Sequence, residues 1–101
     1  MEADYTRSVR VEWNRQKAED NLAKHGVSFE EAQTVFHDPL GRIFDDEAHS
    51  ADENREIIVG RSILNRLVLV CFTERRDAIR VFSARLATPK ERKDYEENTT
   101  I

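Results

Sequence analysis

The side chains of this 101-residue sequence best suited to phosphate chemistry sit near its C-terminal end, in IRVFSARLATPKE. Residues two apart in a strand share a face, so Ile79, Val81, Ser83 and Arg85 lie on one side and Arg80, Phe82, Ala84 and Leu86 on the other. In a regular strand Arg80 and Arg85 therefore face apart, whereas Ser83 and Arg85 serve one pocket. Both precede a helix start at Thr88, whose free N–H groups attract an anion. A guanidinium fork matches two phosphate oxygens. We expect Arg85 to be the main phosphate clamp; the alternative is an ion pair with a neighbouring acid.

Other candidates lie further off. Arg61 ends a strand beside Gly60, where the missing side chain admits a ligand or another backbone; the alternative is a solvated strand end. His25 adjoins Gly26, and an imidazole exchanges protons near neutral pH. A histidine in the last turn of a helix is equally explained by the helix dipole. Lys24 beside it is a phosphate contact or a charged helix end. Glu91 lies close enough to Arg85 to serve as a base, but its place in a capping box already accounts for it. Arg92 and Tyr95, three apart on one helical face, line an RNA groove or pack on the sheet. His37 and His49 are expected in exposed loops, and Trp13 in the core.

The net charge of −4 argues at first against a nucleic-acid partner. Its distribution reverses that: residues 1–54 hold six Lys/Arg against thirteen Asp/Glu, and residues 55–93 hold ten against four. Arginine outnumbers lysine by twelve to four, which favours oxyanion recognition over bare charge. The three histidines stand twelve residues apart and the single cysteine, Cys71, lies in an apolar run, so neither a metal site nor an intrachain disulfide is expected. The longest apolar run, residues 67–72, is too short to span a bilayer. With no leader-like N-terminus, one cytoplasmic domain over residues 1–101 is expected, without cofactor.

The elements that must position these groups follow from periodicity and caps. Alternation at Val9, Val11 and Trp13 predicts a first strand. Asn14 caps a helix over 15–25, with Ala18 and Leu22 as its buried stripe and Gly26 as its left-handed stop. Ser28 and Glu31 form a capping box for a second helix, whose Phe29, Ala32, Val35 and Phe36 share a face; Asp38-Pro39 stops it. A strand over 40–44 leads into DDEAHSADEN, an acidic loop with too little apolar surface to pack. Strands over 56–61, 66–73 and 78–87 form an antiparallel meander, the middle one apolar on both faces and so central. Thr88, Pro89 and Glu91 open a last helix running to about residue 98.

The segments VEWNRQKAEDNLAKHGVSFEEAQTVFHDP, ENREIIVGRS and IRVFSARLATPKERKDYE, spread over residues 9–97, resemble the BrnT toxin family. The resemblance implies an α+β, RelE-like fold with two N-terminal helices on one face of an antiparallel sheet and a C-terminal helix. It also implies metal-free cleavage of RNA and an antitoxin of the BrnA kind, which binds operator DNA and covers the active face in a hetero-oligomer. Such cleavage needs a base for the 2′ hydroxyl, cations for the crowded phosphorane and an acid for the leaving oxygen. For that chemistry Arg85, Ser83, His25 and Arg61 are the expected catalytic residues, and Arg80, Lys24 and Arg92 the expected RNA contacts. A binding module that acts only within a toxin–antitoxin or repressor complex is the competing function.

Overall fold

The structure is a computed structural model, and it describes residues 10–47 and 54–99. Chain order is β1 (Arg10–Trp13), α1 (Arg15–His25), α2 (Phe29–Thr34) with a 3₁₀ turn (Val35–His37), β2 (Arg42–Asp45), β3 (Glu56–Arg61), β4 (Leu67–Arg75), β5 (Ala78–Leu86) and α3 (Pro89–Thr99). The five strands form one sheet in the order β1-β5-β4-β3-β2. The meander β3 to β5 is antiparallel as predicted and β2 extends it antiparallel to β3, but β1 pairs with β5 in parallel, so the sheet is mixed rather than antiparallel. The reason is the connection: the chain leaves β1 through both N-terminal helices and the meander before returning beside it, which a hairpin cannot do.

The predicted caps form. The Asn14 side chain accepts from the Lys17 N–H at 2.9 Å, and Gly26 closes α1 with φ 70°. Thr88 and Glu91 cap α3 reciprocally, at 2.8 and 3.1 Å. Ser28 accepts from the Glu31 N–H, but the Glu31 carboxylate does not reach back. It is buried against Ser62 and Arg66 instead.

One core lies under the two N-terminal helices, where Val27, Phe29, Ala32, Val35 and Phe36 meet Val68, Val70, Phe72, Ile79 and Val81. Trp13 packs on its margin, edge-on to Phe29 with ring centroids 5.8 Å apart. On the opposite sheet face Tyr95 of α3 covers Val59, Leu67 and Leu69. The central β4 is thus covered on both sides, as its sequence requires. Complete burial of a side chain such as Phe29 or Phe72 contributes about 1.5–3 kcal/mol.

Three expectations change. Leu22 is 52% exposed, and the buried α1 residue is Asn21. The helix lies against the backbone of β5, so a polar group that can pair with that backbone replaces the apolar contact. Asp46, assigned to the unpacked acidic loop, is buried; its N–H donates to Arg55 O at 2.8 Å, and its carboxylate accepts from the Cys71 thiol at 3.4 Å. Residues 48–53 of that loop, including His49, lie outside the described residues. Finally, β5 is not regular: Cys71 pairs with Ser83 but Phe72 with Val81, which makes Phe82 an extra residue in a β-bulge. Among the described residues no helix is long and apolar enough to cross a membrane.

Candidate functional site

The bulge decides what faces what. Ile79 and Val81 point into the helix-covered core, and after the extra residue Ala84 does so too. Ser83 and Arg85, placed by simple alternation with Ile79 and Val81, are therefore on the opposite face, the one that carries Arg80. They are cross-strand partners of Cys71 and Leu69 there.

The first helix reaches this face around the edge of β5. Since β1 pairs only with Ala78 to Val81, β5 is uncovered beyond that point. The Asn21 side chain fills the gap: its Oδ1 accepts from the Ala84 N–H at 3.1 Å, and its Nδ2 donates to Ala84 O at 2.8 Å and to Val27 O at 2.9 Å. Lys17 and His25 lie one helical turn to either side of Asn21, on the same face of α1. They join Arg55, Phe82, Ser83 and Arg85 around a cleft of about 390 Å³, floored by Ile57, Leu69 and Cys71. Asp46 is the carboxylate among these lining residues, against Lys17, Arg55 and Arg85. An acidic protein thus carries a cationic cleft.

Two groups there are chemically constrained. Burial, and then the hydrogen bond to Asp46, push the Cys71 thiol up to about 11, so it stays a neutral wall. Arg85 makes a two-pronged pair with Glu91, at 2.8 and 2.9 Å, and also donates to Leu86 O at 3.2 Å. Those hydrogen bonds hold the Glu91 carboxyl down to about 2, against the opposing effect of burial. Both readings of Arg85 thus meet in one residue: it is half of an ion pair, and it lines the cleft. The α3 N-terminus is already served by Thr88 and Glu91.

Of the residues singled out from sequence, His25, Ser83 and Arg85 come together. Arg61 does not join them. Its guanidinium meets Glu96 at 3.4 Å and its N–H donates to Asp38 at 2.7 Å, beside a separate cavity. The close approach that Gly60 permits is taken by Asp38 and Val35 of the chain itself, whose atoms would stand 3.1 Å from an added Cβ. Arg80 pairs with Glu12 of β1 at 3.3 Å. Lys24 and Arg92 are exposed and outside the cleft lining. Tyr95 packs on the sheet and donates to Asp38 at 2.9 Å, and burial raises its phenol to about 12. His37 is exposed. Lys17 and Arg55 were missed. The stripe Lys17, Asn21, His25 at four-residue spacing was a readable signal for the first, but only strand register reveals the second.

Two helices on a bulged mixed sheet, with a cationic cleft where the first helix crosses the strand edge, define a small α+β protein. The family comparison particularises this. The model of the ribonuclease toxin BrnT of type II toxin–antitoxin systems matches residues 13–91, and the chain belongs to that family. Among solved structures it is similar to the Brucella abortus ribonuclease toxin BrnT, known at 1.1 Å resolution. The TM-score is 0.63 at 24% identity, over 79% of this chain and 97% of the other, a likeness of fold. No curated protein matches.

Proposed function

We propose that the chain is a metal-independent endoribonuclease that cuts RNA in the cleft between α1 and β5, and so stops translation and growth. A cognate antitoxin of the BrnA kind, bringing the operator-DNA contacts, covers that face in the cytoplasm. The observation that carries this is the convergence of His25, Ser83 and Arg85 with Lys17 and Arg55 in one cleft. Family membership supplies the reaction class. The RelE-like helix arrangement belongs to the same proposal.

In this reading Arg85, Arg55 and Lys17 surround the phosphate and stabilise charge as the phosphorane forms. His25 exchanges the proton of the 2′ hydroxyl or of the leaving 5′ oxygen, and Ser83 orients the phosphate by a hydrogen bond. Arg61, Arg80, Lys24 and Arg92 contribute only backbone contacts outside the cleft. The metal-independent route draws on the 2′ hydroxyl as internal nucleophile. Among the described residues no group of three or more His, Cys, Asp and Glu side chains forms a metal-binding cluster.

The test is incubation of the purified chain with RNA in excess EDTA and mapping of the cut ends. The expected products end in 2′,3′-cyclic or 3′ phosphate; strict magnesium dependence overturns the mechanism. The engagement of Arg85 by Glu91 favours the second reading, a domain that acts by binding alone. In that case Arg85→Ala leaves activity in place until the antitoxin interface itself is broken.

A further inference from the structure

The bulge places an aromatic ring in the cleft. Phe82 is the extra residue of β5, without a cross-strand partner on β4, and it lines the same space as Ser83 and Arg85. The central carbon of the Arg55 guanidinium lies 3.9 Å above the centroid of its ring. That places the charge well within cation–π range of the ring face. Arg55 reaches it from two residues before Ile57, whose cross-strand partner is Cys71, so both side chains belong to the cleft face of the sheet. Both are only partly buried.

A cation-to-ring contact of this kind is complete without a ligand, but its position is unusual for one that serves packing alone. It borders Lys17, His25 and Arg85, the groups that would hold a phosphodiester. Nucleic-acid bases next to a bound phosphate stack on aromatic rings and on arginine planes alike. A duplex cannot offer such a face, because its bases are already stacked and paired.

We propose that Phe82 and Arg55 form a base-stacking slot in which one unpaired nucleobase packs against the pair as a further layer, beside the phosphate held by Arg85. The proposal rests on the RNA reading and adds a selection rule to it: the preferred substrate is single-stranded at the cut. Since every base has a π face, the slot discriminates paired from unpaired nucleotides strongly and one base from another weakly.

The test uses short single-stranded RNAs with 2′-O-methyl riboses, which block attack by the 2′ oxygen, and with 2-aminopurine placed at each position in turn. With the unaltered chain, fluorescence is expected to be quenched at one position next to the mapped cut, and the matching duplex gives no such quench. Phe82→Leu abolishes that quench and weakens binding about tenfold, the scale of one lost base–aromatic stack, whereas Phe82→Tyr keeps both. If Phe82→Leu fails to fold, Arg55→Lys serves: it keeps the charge, loses the planar layer and loses the quench. RNA that is bound and cut with the quench unchanged in Phe82→Leu, or in Arg55→Lys, overturns the slot and leaves the ribonuclease reading standing. No binding of any RNA by the unaltered chain overturns both.

Discussion

Two arginine–glutamate pairs lie at the same end of the sheet, one among the N-terminal helices and one on the cleft side, with the same chemistry and different consequences. Glu31 is buried and accepts from Ser62 Oγ and twice from Arg66, which also donates to Gly26 O. That knot ties the end of α1, the first turn of α2 and the β3–β4 turn together. The Arg85–Glu91 pair joins residues six apart, where β5 runs into α3, and one side of it faces the cleft. The first pair links segments far apart in sequence around a buried carboxylate, whereas the second is local and borders open space. In both, the arginine holds the carboxyl below its ordinary range.

The sharpest way to break the comparison is at Arg85. Arg85→Ala is expected to slow single-turnover RNA cleavage about a hundredfold, or about 3 kcal/mol in the barrier. Arg85→Lys recovers only part of this, since it keeps the charge and loses the fork. The thermal midpoint moves little, because the Arg85 side chain is 43% exposed and such pairs contribute about 0–1 kcal/mol. A variant that loses activity only by unfolding would make Arg85 a structural partner.

Glu31→Ala should give the reverse pattern. Removing one partner of a buried pair is strongly destabilising, but Arg66 is 37% exposed and keeps water as a substitute, so about 2 kcal/mol is expected. Calorimetry should then show a midpoint about ten degrees lower. Cleavage measured well below that midpoint stays at the parent rate, and a hundredfold loss there would erase the distinction between the two pairs.

The smallest effect is in acid. Glu91 titrates at about 2 in the folded chain, against an ordinary value of 4.5, so between these values the unfolded chain binds the extra proton. Stability therefore rises with pH across that window and is lost as pH falls from about 4.5 toward 2. In Glu91→Gln, denaturant titrations over this range should show a shallower loss, with the Glu31 contribution remaining. An unchanged slope would mean that Glu91 is not held by Arg85 in solution.

The sequence was most informative where a local rule acts alone. Asn14, Gly26, Thr88 and Glu91 announce helix ends because each satisfies backbone groups within a few residues, and the apolar run around Val68 and Val70 announces a strand covered twice. It was least informative where distant segments meet. The one-residue bulge at Phe82 changes the side on which Ser83 and Arg85 emerge, and only pairing with Cys71 and Phe72 reveals it. Alternation predicted that the two would share a face, and they do, but not with Val81. The parallel pairing of β1, the destination of Glu31 and the arrival of Arg55 over Phe82 likewise depend on partners far along the chain. Leu22 misled for a related reason: α1 carries so few apolar residues that its buried side is set by the amide of Asn21.

That amide has a consequence for how molecules of this protein treat one another. A strand edge with open N–H and C=O groups invites a strand from another chain, and aggregation begins at such edges. Past Val81 the β5 edge has lost its natural neighbour, and exposed Leu86 lies close along it. Asn21 holds both backbone groups of Ala84, the pair a foreign strand would need first. One side chain from a helix thus stands as a stopper in the sheet, occupying backbone groups that an open edge would offer to another chain.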